Sequence, residues 1–364
     1  MQLKEITKYL EQLAPLSSQE SYDNSGLIVG DPEMDINDAL VCLDCTEAIV
    51  DEAISIGANL IVAHHPIVFK GMKRLNGVNY VERTVIKAIK NDIAIYAIHT
   101  NLDNYRFGVN FEIGRRLGLH NLKVLQPAKD SLSKLVVYVP HDQAEHVRNV
   151  MFESGAGNIG DYSDCSFTLE GDGSFRPGDN TNPAIGEIGK REIVKETRID
   201  VLVSNHLIGQ VVQGMIQAHP YEEVAYDVIP IKNINQFEGA GMIGELLEPI
   251  DESSFLHLLK EKFGCGVIRH TDLLEKPIRK VAFCGGSGSF LLNRAMRERA
   301  DIYITGDFKY HEFFDAEGKI VIADIGHYES EQFTIDLIGE LLKKKFATFA
   351  VHLTAINTNP INYL

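Results

Sequence analysis

The sequence predicts an α/β fold in which a core of mostly parallel sheets and covering helices is built from both ends of the chain and interrupted by an inserted ferredoxin-like α+β domain. Three observations predict it. Short apolar runs alternate with helical patterns from residue 38 onward, the order becomes β-α-β-β-α-β after about residue 126, and the first pattern resumes near residue 235. The expected domains are 1–126 (core, first half), 127–233 (insert) and 234–364 (core, second half).

The elements follow in order. Ala39 to Leu43 reads as an apolar strand, Glu47 to Ile56 as a helix ended by Gly57, and Leu60 to Ala63 as a second strand. A helix over Val81 to Lys90, a strand over Ile93 to Ile98 and a helix over Asn110 to Leu117 continue the βαβ logic of a parallel sheet. In the insert, strands are expected at Leu135 to Val139, Ile199 to Val203 and Ala225 to Ile229, with a Gly- and Asp-rich hairpin and helices at Ala144 to Glu153 and Gly209 to Ala218. The second half supplies strands at Val281 to Cys284, Ile302 to Thr305 and Ile320 to Ala323, and one helix from Tyr328 to Lys345.

Composition narrows the function. A chain of 364 residues with 45% hydrophobic content can bury two cores. A formal charge of -16 repels a nucleic-acid polymer, and the only basic run, Lys343 to Lys345, suits the end of a helix. Five cysteines at irregular spacing do not make a disulfide framework, so a reducing cytoplasm is the expected compartment; Cys42 of the Cys42-x-x-Cys45 pair reads as a buried strand residue. No signal peptide is evident at Met1 to Glu5, and no apolar run approaches the roughly 20 residues of a membrane span.

The informative polar residues fall at the carboxyl ends of predicted strands, where open α/β sheets gather ligands. His64-His65-Pro66 follows Leu60 to Ala63, placing two imidazoles at the lip of a sheet. His99-Thr100-Asn101-Leu102-Asp103 follows the next strand; Asp103 can bridge cations, although a helix cap explains it taken alone, and His99 can be a ligand or an orienting donor. His327 and Glu331 are four apart at a helix start and share one face. Together His64, His65, Asp103, His327 and Glu331 form a mixed nitrogen and oxygen set suited to two divalent ions such as zinc, iron, manganese or cobalt, with positions left for water.

Softer features surround this set. Gly285-Gly286-Ser287-Gly288-Ser289 is either an anion-cradling turn or a plain tight one. Thr305-Gly306-Asp307 with His311 is read as lining the same cleft, and Asp23-Asn24-Ser25-Gly26-Leu27 as a turn. His120, His141, His146, His206, His219, His257, His270 and His352 are read as surface or satisfied core residues.

At these residues the chain resembles the NIF-three-like family of dinuclear metal proteins, also called GTP cyclohydrolase 1 type 2 homologues. The likeness rests on Asp23 to Leu27, His64-His65-Pro66, His99 to Asp103, Gly285 to Gly288, Thr305 to Asp307 and Gly326 to Glu331. Gly171 to Pro177 and His219 to Asp227 are similar to the insert of the family's longer members, which resembles the PII and CutA fold. Asp172 stands where many relatives have Thr, and Ser25 where many have Val; neither is an expected ligand. The resemblance implies a toroidal homohexamer with metal sites facing an inner cavity.

Two functions are therefore expected in competition. One is a metal-dependent hydrolase acting on a nucleotide or related heterocycle, GTP ring opening being the specific case, with His99 orienting or shuttling a proton. The other is a non-catalytic metal-binding regulatory protein whose insert senses a small ligand.

Overall fold

The computed structural model describes residues 1–364 and divides into two compact units, Met1–Pro127 with Phe237–Leu364, and Ala128–Gln236. The first unit holds two sheets. One has five strands in the order Gly26–Val29, Ala94–Ala97, Leu60–His65, Asp38–Asp44, Ala350–Leu353, antiparallel only at its Gly26–Val29 edge. The other has six, in the order Arg269–His270, Val321–Asp324, Ile302–Gly306, Ile278–Ser287, Gly239–Ile250, His120–Pro127. Its three adjacent strands Val321–Asp324, Ile302–Gly306 and Ile278–Ser287 run parallel, and antiparallel strands flank them on both sides.

The apolar runs read from the sequence are strands buried on both faces. Ala39, Val41, Leu60 and Val62 join Val281, Phe283, Ile302 and Ile304 of the other sheet in the largest cluster of buried side chains. Their alternate neighbours Leu40, Cys42, Ile61 and Ala63 face a second cluster under the helices Glu47–Ile56 and Tyr80–Lys90. Ala282, Tyr303 and Ile322 face a third. A period of two with both faces apolar leaves no polar alternation, which is why these strands read as unbroken hydrophobic stretches.

Local chemistry sets the ends of the elements. Thr46 caps Glu47–Ile56 by accepting a hydrogen bond from the Ile49 amide, and Gly57 closes it in the left-handed region at φ 77°. The single helix expected from Tyr328 to Lys345 is instead two, His327–Glu331 and Thr334–Lys345. Gln332 and Phe333 keep right-handed backbone angles, so the break is a kink. Phe333 is held there by the Phe263 ring, 5.9 Å away, and the Arg116 guanidinium, 3.5 Å from its centroid.

In Ala128–Gln236, an antiparallel sheet has the strand order Ser166–Phe175, Glu192–Ser204, Leu132–Pro140, Tyr226–Pro230. Helices Ala144–Glu153 and Ile208–Ala218 pack on one face through Val147, Met151, Val211 and Met215 against Leu135, Val137, Ile199 and Val201. The chain order is β-α-β-β-α-β, as the sequence pattern predicts. All five cysteines are free thiols, and Cys42 is fully buried. No helix is long and apolar enough to cross a membrane.

Candidate metal centre

The two sheets of the first unit bring their strand ends together. His64 and His65 are the last residues of Leu60–His65, and Asp44 is the last residue of the neighbouring strand, in register with His65. His99 follows Ala94–Ala97 by two residues and leads into the short helix Thr100–Asn104, which carries Asp103. From the other sheet, Asp307 follows Ile302–Gly306, and His327 and Glu331 occupy the short helix after Val321–Asp324. Residues about 260 positions apart in sequence therefore meet: His65 Nε2 lies 3.0 Å from Glu331 Oε2 and 3.4 Å from His327 Nε2.

Three donor groups result, each with ligand atoms within 4.8 Å of one another: His64, Asp103 and Glu331; His65, His327 and Glu331; and His64, His65 and His99. The Glu331 carboxylate spans the first two, with Oε2 3.1 Å from His327 Nε2 and Oε1 3.9 Å from His64 Nε2. All five expected ligands and His99 are thus gathered in one place.

Each imidazole is oriented by its other nitrogen. His64 Nδ1 hydrogen bonds the Ile98 carbonyl at 2.8 Å, His65 Nδ1 the Asp44 carboxylate at 2.8 Å, His99 Nδ1 the Asp23 carboxylate at 2.8 Å, and His327 Nδ1 the Asp307 carboxylate at 2.7 Å. A proton held on Nδ1 turns Nε2 inward, where its lone pair would serve a cation, the arrangement typical of metal-binding histidines.

Whether cations fit can be read from the polar atoms that lack partners. His64 Nε2 and Asp103 Oδ1 are buried, have no hydrogen-bond partner, and face each other at 3.6 Å. Two donors each about 2.1 Å from a tetrahedral ion stand roughly 3.4 Å apart, so this spacing suits a shared cation and is too long for a hydrogen bond. Burial and the nearby Glu331 charge push Asp103 up to about 7. Burial opposes charge on His65, but hydrogen bonds to Asp44 and Glu331 outweigh it and push that imidazole up to about 9. His327 is raised in the same way against its burial, by Glu331 and Asp307, to about 11, while Glu331 is held well below the usual carboxylate range by the histidines around it. The carboxylates demand positive charge, and imidazolium protons supply it where cations do not.

Three orienting carboxylates went unassigned as such in the sequence. Asp44 was detectable as an acid at a strand end beside a histidine strand. Asp23 is more than part of a turn: besides holding His99 it accepts hydrogen bonds from the Thr100 amide at 3.0 Å, the Thr100 hydroxyl and the Ser25 hydroxyl. Asp307 lines the cleft as expected, but His311 does not; its ring packs on Tyr310 and Phe314. The glycines of the turn at 285–289 do not offer their amides to an anion. The amides of Gly285, Gly286 and Gly288 are taken by Asn110 Oδ1, Ser330 Oγ and Thr305 Oγ1. Its glycines serve close approach, since a Cβ on Gly286 would run into Glu331 Oε1.

Residues 1–360 match the family model described as Duf34/NIF3 (NGG1p interacting factor 3). The chain belongs to the DUF34/NIF3 family. Among DUF34/NIF3 relatives, the GTP cyclohydrolase 1 type 2 homolog of Halalkalibacterium halodurans is 39% identical over 365 residues, covering 99% of this chain and 98% of the relative. The protein of the same name from Bacillus subtilis is 36% identical over 367 residues, with the same coverages. The crystal structure of a Bacillus cereus protein related to NIF3 superposes with a TM-score of 0.88 at 37% identity, covering 100% of this chain and 99% of that one. A DUF34/NIF3 core thus carries the His, Asp and Glu cluster in this chain, and that cluster can hold a metal ion.

Proposed function

We propose that the protein is a metal-dependent hydrolase acting on a nucleotide or related heterocycle. The observation that carries this reading is the buried, partnerless pair His64 Nε2 and Asp103 Oδ1, with Glu331 reaching from it to His65 and His327. His64 and Asp103 would hold one divalent ion (zinc, iron or manganese), His65 and His327 a second, and Glu331 both. Such a pair lowers the pKa of a water and polarises the atom under attack.

The chain's own residues do the rest. Asp44, Asp307 and the Ile98 carbonyl fix the imidazole planes and their tautomers. His99, tethered to Asp23, stands with its ring 5.3 Å from those of His64 and His65, where it can pass a proton to a leaving group. A cavity of about 700 Å³ opens on the cluster, large enough for a small-molecule substrate. The relatives' name, GTP cyclohydrolase 1 type 2 homolog, agrees with a heterocyclic substrate. The closed hexameric ring implied by the family resemblance is proposed as the working assembly, to be checked by light scattering.

The test is turnover. Metal-loaded protein is incubated with a panel of nucleotides, nucleosides and phosphoesters, and the assay is repeated with His65→Ala and Glu331→Gln. Activity lost in both variants supports the hydrolase. Metal binding without turnover of any compound supports the non-catalytic regulatory protein instead.

A further inference from the structure

The cavity on the metal centre has walls of two kinds. Five carboxylates line it, from Glu20, Asp44, Asp103, Asp307 and Glu331, and no lysine or arginine does. Two divalent ions would bring four positive charges against those five, so the wall stays net negative even when loaded. Lys70, Lys73 and Arg74 follow Phe69 in the chain, but they are exposed and do not line the cavity. In the glycine-rich turn at its edge, the Gly285, Gly286 and Gly288 amides are already bonded and are not free for an anion.

The second kind of wall is aromatic. Tyr22, Phe69, Tyr80 and Phe290 all line the cavity and are 67%, 48%, 59% and 59% exposed. Four rings left this open around one cleft form apolar surface that is stabilised by covering it. Phe69 meets the His99 ring edge to face at 5.6 Å, so the aromatic wall runs directly into the histidine cluster.

Resting on the hydrolase reading of this site, we propose that the substrate is an uncharged planar heterocycle, a base or nucleoside, held between these rings, and not its triphosphate. A flat ring gains stacking on Phe69 or Phe290 and brings no charge into an acidic cleft. A triphosphate brings several negative charges to walls with no cationic side chain. Its phosphates would also compete with Asp103 and Glu331 for any cation held there.

Calorimetric titration of the full-length, metal-loaded protein with guanosine, adenosine, GTP and ATP tests this. Each nucleoside should bind at least about tenfold more tightly than its triphosphate, and Phe69→Ala and Phe290→Ala should each weaken nucleoside binding about tenfold, the usual effect of removing a stacking ring. The proposal is overturned if a triphosphate binds as tightly as its nucleoside, if no nucleoside binds, or if both alanine variants bind like the wild type. Should an alanine variant fail to fold, the nucleoside and triphosphate ranking in the wild type decides alone. Failure of the hydrolase reading looks different: nucleosides bind with the expected ranking and are not turned over.

Discussion

His64 Nε2 and Asp103 Oδ1 face each other across 3.6 Å of buried space, and neither has a hydrogen-bond partner. Asp103 is therefore a carboxylate buried without a partner, and under the proposed function a cation would supply one. Replacing it with asparagine keeps its shape and removes its repulsion from Glu331. The Asp103→Asn protein without metal should be as stable as the wild type or more so, by up to about 2 kcal/mol, while the stabilisation gained on adding metal falls. Calorimetric melting with and without a chelator checks both halves, and an equal metal-induced rise in Tm in variant and wild type would remove Asp103 from the ligand set.

Metal uptake should release protons. With His65 pushed up to about 9 and His327 to about 11, both imidazoles carry protons at neutral pH that a cation must displace. Affinity should therefore climb as pH rises from 6 to 9, and the heat of binding should change with buffer ionisation enthalpy. The sign for stability is opposite in the metal-free protein. The His65 value in the fold lies above its unfolded value of about 6.5, so its contribution is fully present below pH 6.5 and disappears as pH rises through 9. Metal-free protein should lose stability over that window; a flat profile would mean that the Asp44 and Glu331 contacts do not hold His65 charged.

The carboxylates behind the histidines should matter nearly as much as the ligands. Asp44→Asn exchanges an anion for a neutral amide at His65 Nδ1, which weakens control of the tautomer and of the ring plane. A loss of about 10- to 100-fold in metal affinity is expected. Asp23→Asn acts on His99, so it should lower kcat with little change in metal content. Metal analysis and steady-state kinetics on the two variants separate these roles; unchanged affinity in Asp44→Asn would show that the strand alone fixes the ring.

The parts of this design that were legible in the sequence share a physical cause. The central strands are buried on both faces, so Val41, Val62 and Phe283 sit in unbroken apolar runs, and the two histidines that end Leu60–His65 break the pattern visibly. Edge strands lack that signature. His120–Pro127 buries only Val124 and Leu125, too short a run to mark a strand, and it pairs with Gly239–Ile250 at the edge of the second sheet. Asp44 and Asp23 were harder still, because a lone acid near a turn has many ordinary explanations and only the fold puts an imidazole beside it. The glycine-rich turn stayed open between two readings for the same reason: the acceptors of its glycine amides, Asn110 and Ser330, come from 175 and 44 residues away.

That turn gives a sharp comparison between strain and fit. Gly286 lies in the left-handed region at φ 59°, and a Cβ there would collide with Glu331 Oε1 and come within 3.3 Å of His327 Cε1. Gly57 has a similar angle, φ 77°, with nothing within 4 Å of its Cβ position. Alanine at Gly57 should cost about 1 kcal/mol, the strain alone, and leave metal binding intact. Alanine at Gly286 adds a displaced Glu331 to the same strain, so it should cost about 2 to 4 kcal/mol and weaken metal binding, because that carboxylate reaches toward His64 as well as His65 and His327. Denaturant titration and metal analysis on the two variants measure the difference. Equal stability losses with full metal content in both would mean that Glu331 has room to move and that the turn is merely tight.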